Sequence, residues 1–190
     1  MIKVGVLALQ GAFREHCEAL RRCGVEAVEI RKADELDDVS GLILPGGEST
    51  TIGKLLTDWG IMDKIKARAA QGMAIYGTCA GLILLAKTIV NSDQPRLGLM
   101  DITVQRNAFG RQVDSFEADL AVPELGSGPF HAVFIRAPLI DKAEASVQVL
   151  AKVDEKVVMA RQGKLLVTSF HPELTGDTRI HQYFISMIQA

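Results

Sequence analysis

The stretch from Gly72 to Leu84 constrains the fold more than any other part of the chain. Met73 to Tyr76 is a short apolar run and predicts a buried strand; Ala80 to Lys87, rich in Ala and Leu, predicts a helix. Cys79 stands at the junction, with Gly77 and Gly81 on either side. A strand that turns sharply into a helix holds its junction side chain on strained backbone, and the flanking glycines remove Cβ atoms that would clash there. The same turn aims the first free N–H groups of the helix beside the sulfur. Those donors and the helix dipole favour thiolate over thiol. The arrangement suits a nucleophile with half an oxyanion hole attached, unlike a free cysteine that merely packs.

The rest of the first half alternates. Lys3 to Leu9 predicts a central strand, Gln10-Gly11-Ala12 a turn, and Phe13 to Arg22 a helix ended by Gly24. Val25 to Ile30 predicts a second strand, Asp34 to Val39 at most a helical turn, and Gly41 to Leu44 a third strand cut off by Pro45-Gly46-Gly47. Ser49 or Thr50 is expected to cap a helix through Leu56, and Ile61 to Ala70 continues helical. Alternation of this kind implies a parallel sheet covered on both faces.

The second half is strand-rich: Ile102 to Arg106, Phe116 to Val122, His131 to Arg136, Val147 to Val153, Lys156 to Arg161 and Leu165 to Phe170, then a closing helix from Thr178 to Ile188. Asp154-Glu155 and Gln162-Gly163 predict tight hairpins. The expectation is one α/β domain over residues 1–190, a flavodoxin-like three-layer α/β/α fold whose central sheet is mostly parallel with an antiparallel extension. In such sheets ligands bind beyond the carboxyl ends of the parallel strands. Gln10-Gly11, Pro45 to Ser49 and the Cys79 turn should meet there.

Composition narrows the partners. A formal net charge of −2 gives no electrostatic case for nucleic acid or an anionic membrane. No window is long and apolar enough for a transmembrane helix, and the N-terminus enters a charged, strand-like segment without a leader pattern, so a cytoplasmic location is expected. Three cysteines without a C-x-x-C pair argue against a disulfide framework and a zinc site; Cys17 and Cys23 read as packing residues.

A thiolate nucleophile needs a base and a group to orient that base. Of the four histidines, His16, His131 and His181 read as structural or solvated. His171 differs: it ends the apolar strand Leu165 to Phe170 and is followed by Pro172 and Glu173. Residues two apart in extended backbone face the same way, so Glu173 can accept from the imidazole. Cys79 is thus the candidate nucleophile, His171 the base and then acid, and Glu173 the orienter. Ala80 N–H and Gly47 N–H are the candidate oxyanion donors. The Gly46–Gly47 peptide is free enough to flip, so the hole is expected to stay incomplete until something docks.

Gly77-Thr78-Cys79-Ala80-Gly81 and His171-Pro172-Glu173 resemble the hallmark of the triad, or class I, glutamine amidotransferases. The likeness extends to the run Leu9 to His16, to Pro45-Gly46-Gly47-Glu48-Ser49-Thr50, to Arg106 through Gln112, to Phe134 through Pro138 and to Ser169 through Thr175. Together these resemble the glutaminase subunits of pyridoxal 5′-phosphate synthases, over nearly the whole chain. The resemblance implies hydrolysis of L-glutamine to glutamate and ammonia, with ammonia passed to a partner (β/α)8-barrel synthase subunit. It implies no cofactor and no metal in this chain. It also carries the family's glutamine contacts onto Gly47, Glu48, Ser49, Arg106, Ile135 and Arg136. Charged hydrogen bonds suit both ends of the amino acid, with Arg106 or Arg136 for the α-carboxylate and Glu48 for the α-ammonium. Gln10 and Gly11 are candidates for the partner interface or gate. A glutaminase serving another synthase, a DJ-1-like cysteine hydrolase and a non-enzymic flavodoxin-like module are the competing expectations.

Overall fold

The computed structural model describes residues 1–107, 109 and 115–190. The first half runs β1 (Lys3–Leu7), α1 (Phe13–Arg22), β2 (Glu26–Ile30), β3 (Gly41–Leu44), α2 (Ser49–Asp58), α3 (Ile61–Ala70), β4 (Ala74–Thr78) and α4 (Ala80–Leu85). The second half supplies β5 (Ala86–Ile89), β6 (Met100–Gln105), β7 (Ser115–Leu120), β8 (Phe130–Ile135), β9 (Leu139–Ala143), β10 (Gln148–Val153), β11 (Lys156–Gln162), β12 (Leu165–Thr168) and α5 (Arg179–Gln189).

The main sheet has the order β2-β1-β3-β4-β12-β11-β9-β6-β5, with β10 also paired to β11. From β2 to β12 every neighbouring pair is parallel. From β12 outward β11, β9 and β6 pair antiparallel, and β5 then runs parallel to β6. β7 and β8 form a separate hairpin-like pair.

Strand alternation divides the core in two. Leu42, Leu44 and Ile75 face one apolar cluster with Ile52, Leu56, Ile65 and Leu82 from α2, α3 and α4. Val4, Val6, Ile43, Ala74 and Tyr76 face the other, with Cys17 and Leu20 of α1 and Ile180 and Phe184 of α5. Both faces of the parallel strands are therefore covered, which is why β1, β3 and β4 read as continuous apolar runs. Full burial of a side chain such as Leu42 or Ile75 stabilises the fold by about 1.5–3 kcal/mol.

Several boundaries differ from the sequence expectation. The helix after Cys79 stops at Leu85, because Ala86 to Ile89 pairs with β6 as a strand. β9, just past Pro138, was not expected as a strand; it fills the gap between β11 and β6. The cap of α2 is Glu48 rather than Ser49 or Thr50: its carboxylate accepts from Thr51 N–H at 2.8 Å. Both predicted hairpins are present, the first turning at Asp154-Glu155 as expected and the second one residue later than expected, at Gly163-Lys164, because Gln162 still pairs with Leu165; Asp154 and Gly163 take positive φ.

Candidate active site

β4 runs into α4 through Cys79, whose backbone adopts φ 50° and ψ −100°. This is strained backbone for a residue with a Cβ, and persists only where the surroundings over-determine it. Cys79 N–H donates to Thr168 O on β12 at 2.9 Å, and Cys79 O accepts from Ile83 N–H at 3.2 Å. The two glycines make the turn possible by close approach. A Cβ on Gly77 would lie 2.5 Å from the backbone of Gly81, and one on Gly81 would collide with Leu44 O. Ala80, the first residue of α4, keeps an N–H that no intrahelical bond consumes.

β12 is parallel to β4 and delivers the second group to the same end of the sheet. His171 follows it, anchored by its own N–H to Val133 O of β8 at 2.8 Å. Its imidazole lies beside Cys79, both within 3.5 Å of the place a Cβ on Gly46 would take, and its Nδ1 lies 2.7 Å from Glu173 Oε1. The route to Glu173 is not the expected extended alternation: Pro172–Leu174 form a 3₁₀ turn that folds the carboxylate back onto the ring. Burial alone would lower the basicity of His171, but Cys79 and Glu173 override it and hold the imidazole well above its ordinary pKa. Burial also opposes ionisation of Glu173, and His16 and His171 beside it keep the carboxyl below the usual range. The arrangement can hold an imidazolium between a sulfur and a carboxylate.

Cys79 and His171 open into a cavity of about 330 Å3. Gly47, Glu48, Ser49, Ala80, Ile83, Arg106, Asn107, Ile135 and Arg136 complete its lining. The predicted glutamine-contact residues all line this one space; Ile83 and Asn107 were not expected there. Ile135 O stands 3.9 Å from Cys79 Sγ, so the end of β8 roofs the nucleophile. Arg136 follows at φ 44°. The remainder of the motif that begins at Arg106, Ala108 and Gly110 through Gln112, lies outside the described residues.

The wall residues are held by specific bonds. Thr50 Oγ1, Thr51 Oγ1 and Thr51 N–H all donate to Glu48 Oε2, and with the Thr50 hydroxyl foremost they lower its pKa to about 2. Glu48 is thus a negative charge at the cavity edge as well as a helix cap. Gln94, which the sequence did not single out, is buried between two of the predicted residues. Its Oε1 accepts from Arg106 Nη1 at 3.0 Å and from Ser49 Oγ at 3.4 Å. Its amide nitrogen is buried and unpartnered among the described residues.

The three predicted loops do meet. Gly46 lies against the triad: a Cβ there would come within 2.5 Å of His171 Cε1. Gly46 O accepts from Ala12 N–H at 3.1 Å, and Gln10 Oε1 accepts from Glu48 N–H at 2.8 Å. Gln10 and Gly11 therefore back the Gly46–Gly47 turn and are not among the residues that line the cavity. Turning that peptide over would break the bond to Ala12. His131 is exposed between Asp119 and Glu117, away from this end.

Comparison with known proteins agrees with this geometry. Residues 6–190 match the model of the SNO glutamine amidotransferase family. A pyridoxal 5′-phosphate synthase subunit PdxT from Carboxydothermus hydrogenoformans is 61% identical over 187 residues, 98% of either chain. One of the same name from Moorella thermoacetica is 58% identical over 187 residues, covering 98% of this chain and all of its own. A crystal structure of a glutamine amidotransferase superposes with a TM-score of 0.94 at 56% identity, over 98% of this chain and 99% of that one. A PurLQS structure from Thermotoga maritima, at 17% identity and a TM-score of 0.73 over 97% of this chain and 98% of that one, shares the fold. With a family match that takes in all but the first five residues, the chain belongs to the SNO glutamine amidotransferase family.

Proposed function

We infer that this chain is the glutaminase subunit of a pyridoxal 5′-phosphate synthase. It hydrolyses L-glutamine to L-glutamate and ammonia and passes the ammonia to a partner synthase subunit. The observation that carries the reading is the meeting of Cys79, His171 and Glu173 at one end of a cavity with Arg106 and Glu48 along its sides. That cavity offers a nucleophile to one end of a small amino acid and opposite charges to its other end.

In this mechanism Cys79 Sγ attacks the carboxamide carbon, and the N–H groups of Ala80 and Gly47 receive the charge that develops on oxygen. His171 gives its proton to the departing ammonia, leaving a γ-glutamyl thioester. Water, deprotonated by His171, then attacks the thioester and frees glutamate. Glu173 holds the ring so that Nε2 faces the sulfur. Arg106 pairs with the α-carboxylate and Glu48 with the α-ammonium, while Ser49, Ile135 and Arg136 complete the pocket. Gln10 and Gly11 form the gate against the partner, a (β/α)8 barrel in this proposal. The chain works as one glutaminase domain, needs no cofactor or metal, and leaves pyridoxal phosphate to its partner. A cytoplasmic setting belongs to the same proposal, in keeping with the free thiols of Cys17, Cys23 and Cys79. Among the described residues no helix is long and apolar enough to cross a membrane.

The test is pyridoxal phosphate formation by the partner subunit with either glutamine or ammonium as nitrogen source. Glutamine is expected to serve only when this chain is present, and Cys79→Ala to abolish glutamine use while ammonium still supports synthesis. Glutamine use that survives Cys79→Ala would refute the assignment.

A further inference from the structure

Behind the triad lies a buried polar cluster that the proposed chemistry leaves without a task. His16 of α1 and His181 of α5 are both fully buried. His16 Nδ1 is 2.9 Å from His181 Nε2. On the other side of the ring, His16 Nε2 is 3.1 Å from Thr78 Oγ1 and 3.4 Å from Glu173 Oε2. Glu173 Oε2 and His181 Nδ1 are buried and make no hydrogen bond among the described residues, so the His16–Glu173 approach is a charge contact, while the hydrogen bond of His16 Nε2 is with Thr78.

Proton accounting chooses between two tautomers of His16. If Nδ1 carried the hydrogen, it would donate to His181 Nε2. His181 would then keep its own hydrogen on Nδ1, a buried N–H with no acceptor, and His16 would turn a lone pair toward a carboxylate. If Nε2 carries the hydrogen, it faces two acceptors, Thr78 Oγ1 and Glu173 Oε2, and His181 Nε2–H donates to Nδ1. The sites left unpartnered are then acceptors only, the lone pair of His181 Nδ1 and Glu173 Oε2. Buried donors are the groups least tolerated without partners, so the second arrangement prevails. Burial also disfavours the charged form of both rings, lowering the pKa of His16 and bringing that of His181 to about 3. The ionisable groups around the cluster are Glu173 and His171, Glu15 on the His16 side, Arg22 on the His181 side, and the Tyr76 ring edge-on to both.

We propose that His16 is a positioning residue for the triad: held in its Nε2–H form by His181, it donates to Thr78 Oγ1 and turns the positive edge of its ring toward Glu173 Oε2, 3.4 Å away, steadying the carboxylate whose other oxygen orients His171. This rests on the triad reading above. Outer hydrogen bonds of this kind set the orientation and basicity of the groups that touch substrate.

The experiment follows glutamate release with the partner subunit present, across pH, for the unsubstituted chain, His16→Leu and His16→Gln. For His16→Leu, kcat is expected to fall about 10–100-fold with KM for glutamine nearly unchanged. The acid limb of the pH profile should move up by about one unit as Glu173 loses the electropositive neighbour that favours its charged form. His16→Gln, whose amide N–H reaches the same place, should recover most of the rate and return the limb. A purely structural role predicts lower thermal stability in both variants with the limb unmoved, and that result overturns the proposal. Nitrogen-15 NMR of the unsubstituted chain decides the matter even if a variant fails to fold: His16 is expected as the neutral Nε2–H tautomer, and an Nδ1–H signal overturns the assignment. A chain that releases no glutamate at all would instead overturn the proposed function, with the tautomer still read by NMR.

Discussion

Cys79, His171 and Glu173 are each less than one-tenth exposed, whereas Arg106, Asn107 and Arg136, across the same cavity, are exposed. The chemical side is set in strands and tight turns: β4 and β12 side by side, a 3₁₀ turn, and His16 behind it. The recognition side is carried by strand ends and a helix cap. Burial makes the charge coupling on the first side strong and hard to rearrange. The second side must exchange water for a zwitterion at each turnover, which favours exposed guanidinium and carboxylate groups over buried ones. Changes on the first side should therefore appear in kcat, and changes on the second in KM.

Glu173→Gln should have the largest effect. It keeps the shape of the acid and removes its charge, and kcat is expected to fall by about 10³–10⁴, the scale on which loss of an orienting carboxylate acts in comparable triads. Steady-state kinetics at saturating glutamine check this; a loss below tenfold would mean that the carboxylate does not set the imidazole. Arg106→Ala should raise KM for glutamine by about 10–100-fold, the scale of one charge-assisted hydrogen bond, and change kcat much less. An unchanged KM would break the division between the two sides.

The buried side should also reveal itself in the acid stability of the fold. His181 has a pKa of about 3 in the fold against an ordinary 6.5, and His16 is lowered in the same direction. Between those values the unfolded chain binds more protons, so this stability is whole above pH 6.5 and drains away as pH falls. Glu173, lowered from its ordinary 4.5, adds a loss of the same sign below that value. The slope is at most about 1.4 kcal/mol per pH unit for each group. Urea unfolding at stepped pH should show it, and His181→Gln should flatten it. The smallest effect is expected from Gln94→Leu. It frees the Arg106 side chain, so KM should rise by only about threefold to tenfold, in line with one lost hydrogen bond. It also removes the unpartnered buried amide, so stability should hold.

What the sequence disclosed follows the same line. Cys79, His171 and Glu173 were legible because each is announced by its own neighbours: two glycines, a terminating apolar strand, a proline. The layered fold was legible because β1, β3 and β4 are apolar enough for burial on both faces. The switch from α4 to β5 was not, because Ala86 to Ile89 becomes a strand only through pairing with β6. β9, with Asp141 and Lys142 in its middle, lacks an apolar run and is defined by its two neighbours. Gln94 and His181 carry no local signal, and His16, although it ends the run Leu9 to His16, gives no sign of its contacts with Thr78 and His181. Gln94 matters through Arg106, twelve residues on, and His16 through partners 62 and 165 residues away. Such roles depend on distances that only the assembled sheet creates.

The central claim is that Cys79 is the nucleophile of a glutamine-shaped cavity. Treatment with the glutamine-mimicking diazo-ketone 6-diazo-5-oxo-L-norleucine, followed by peptide mass spectrometry, tests it most directly. The account predicts a single adduct on Cys79, slowed by L-glutamine and absent in Cys79→Ser. An adduct on Cys17 or Cys23, or labelling of Cys79 that glutamine does not slow, would contradict it.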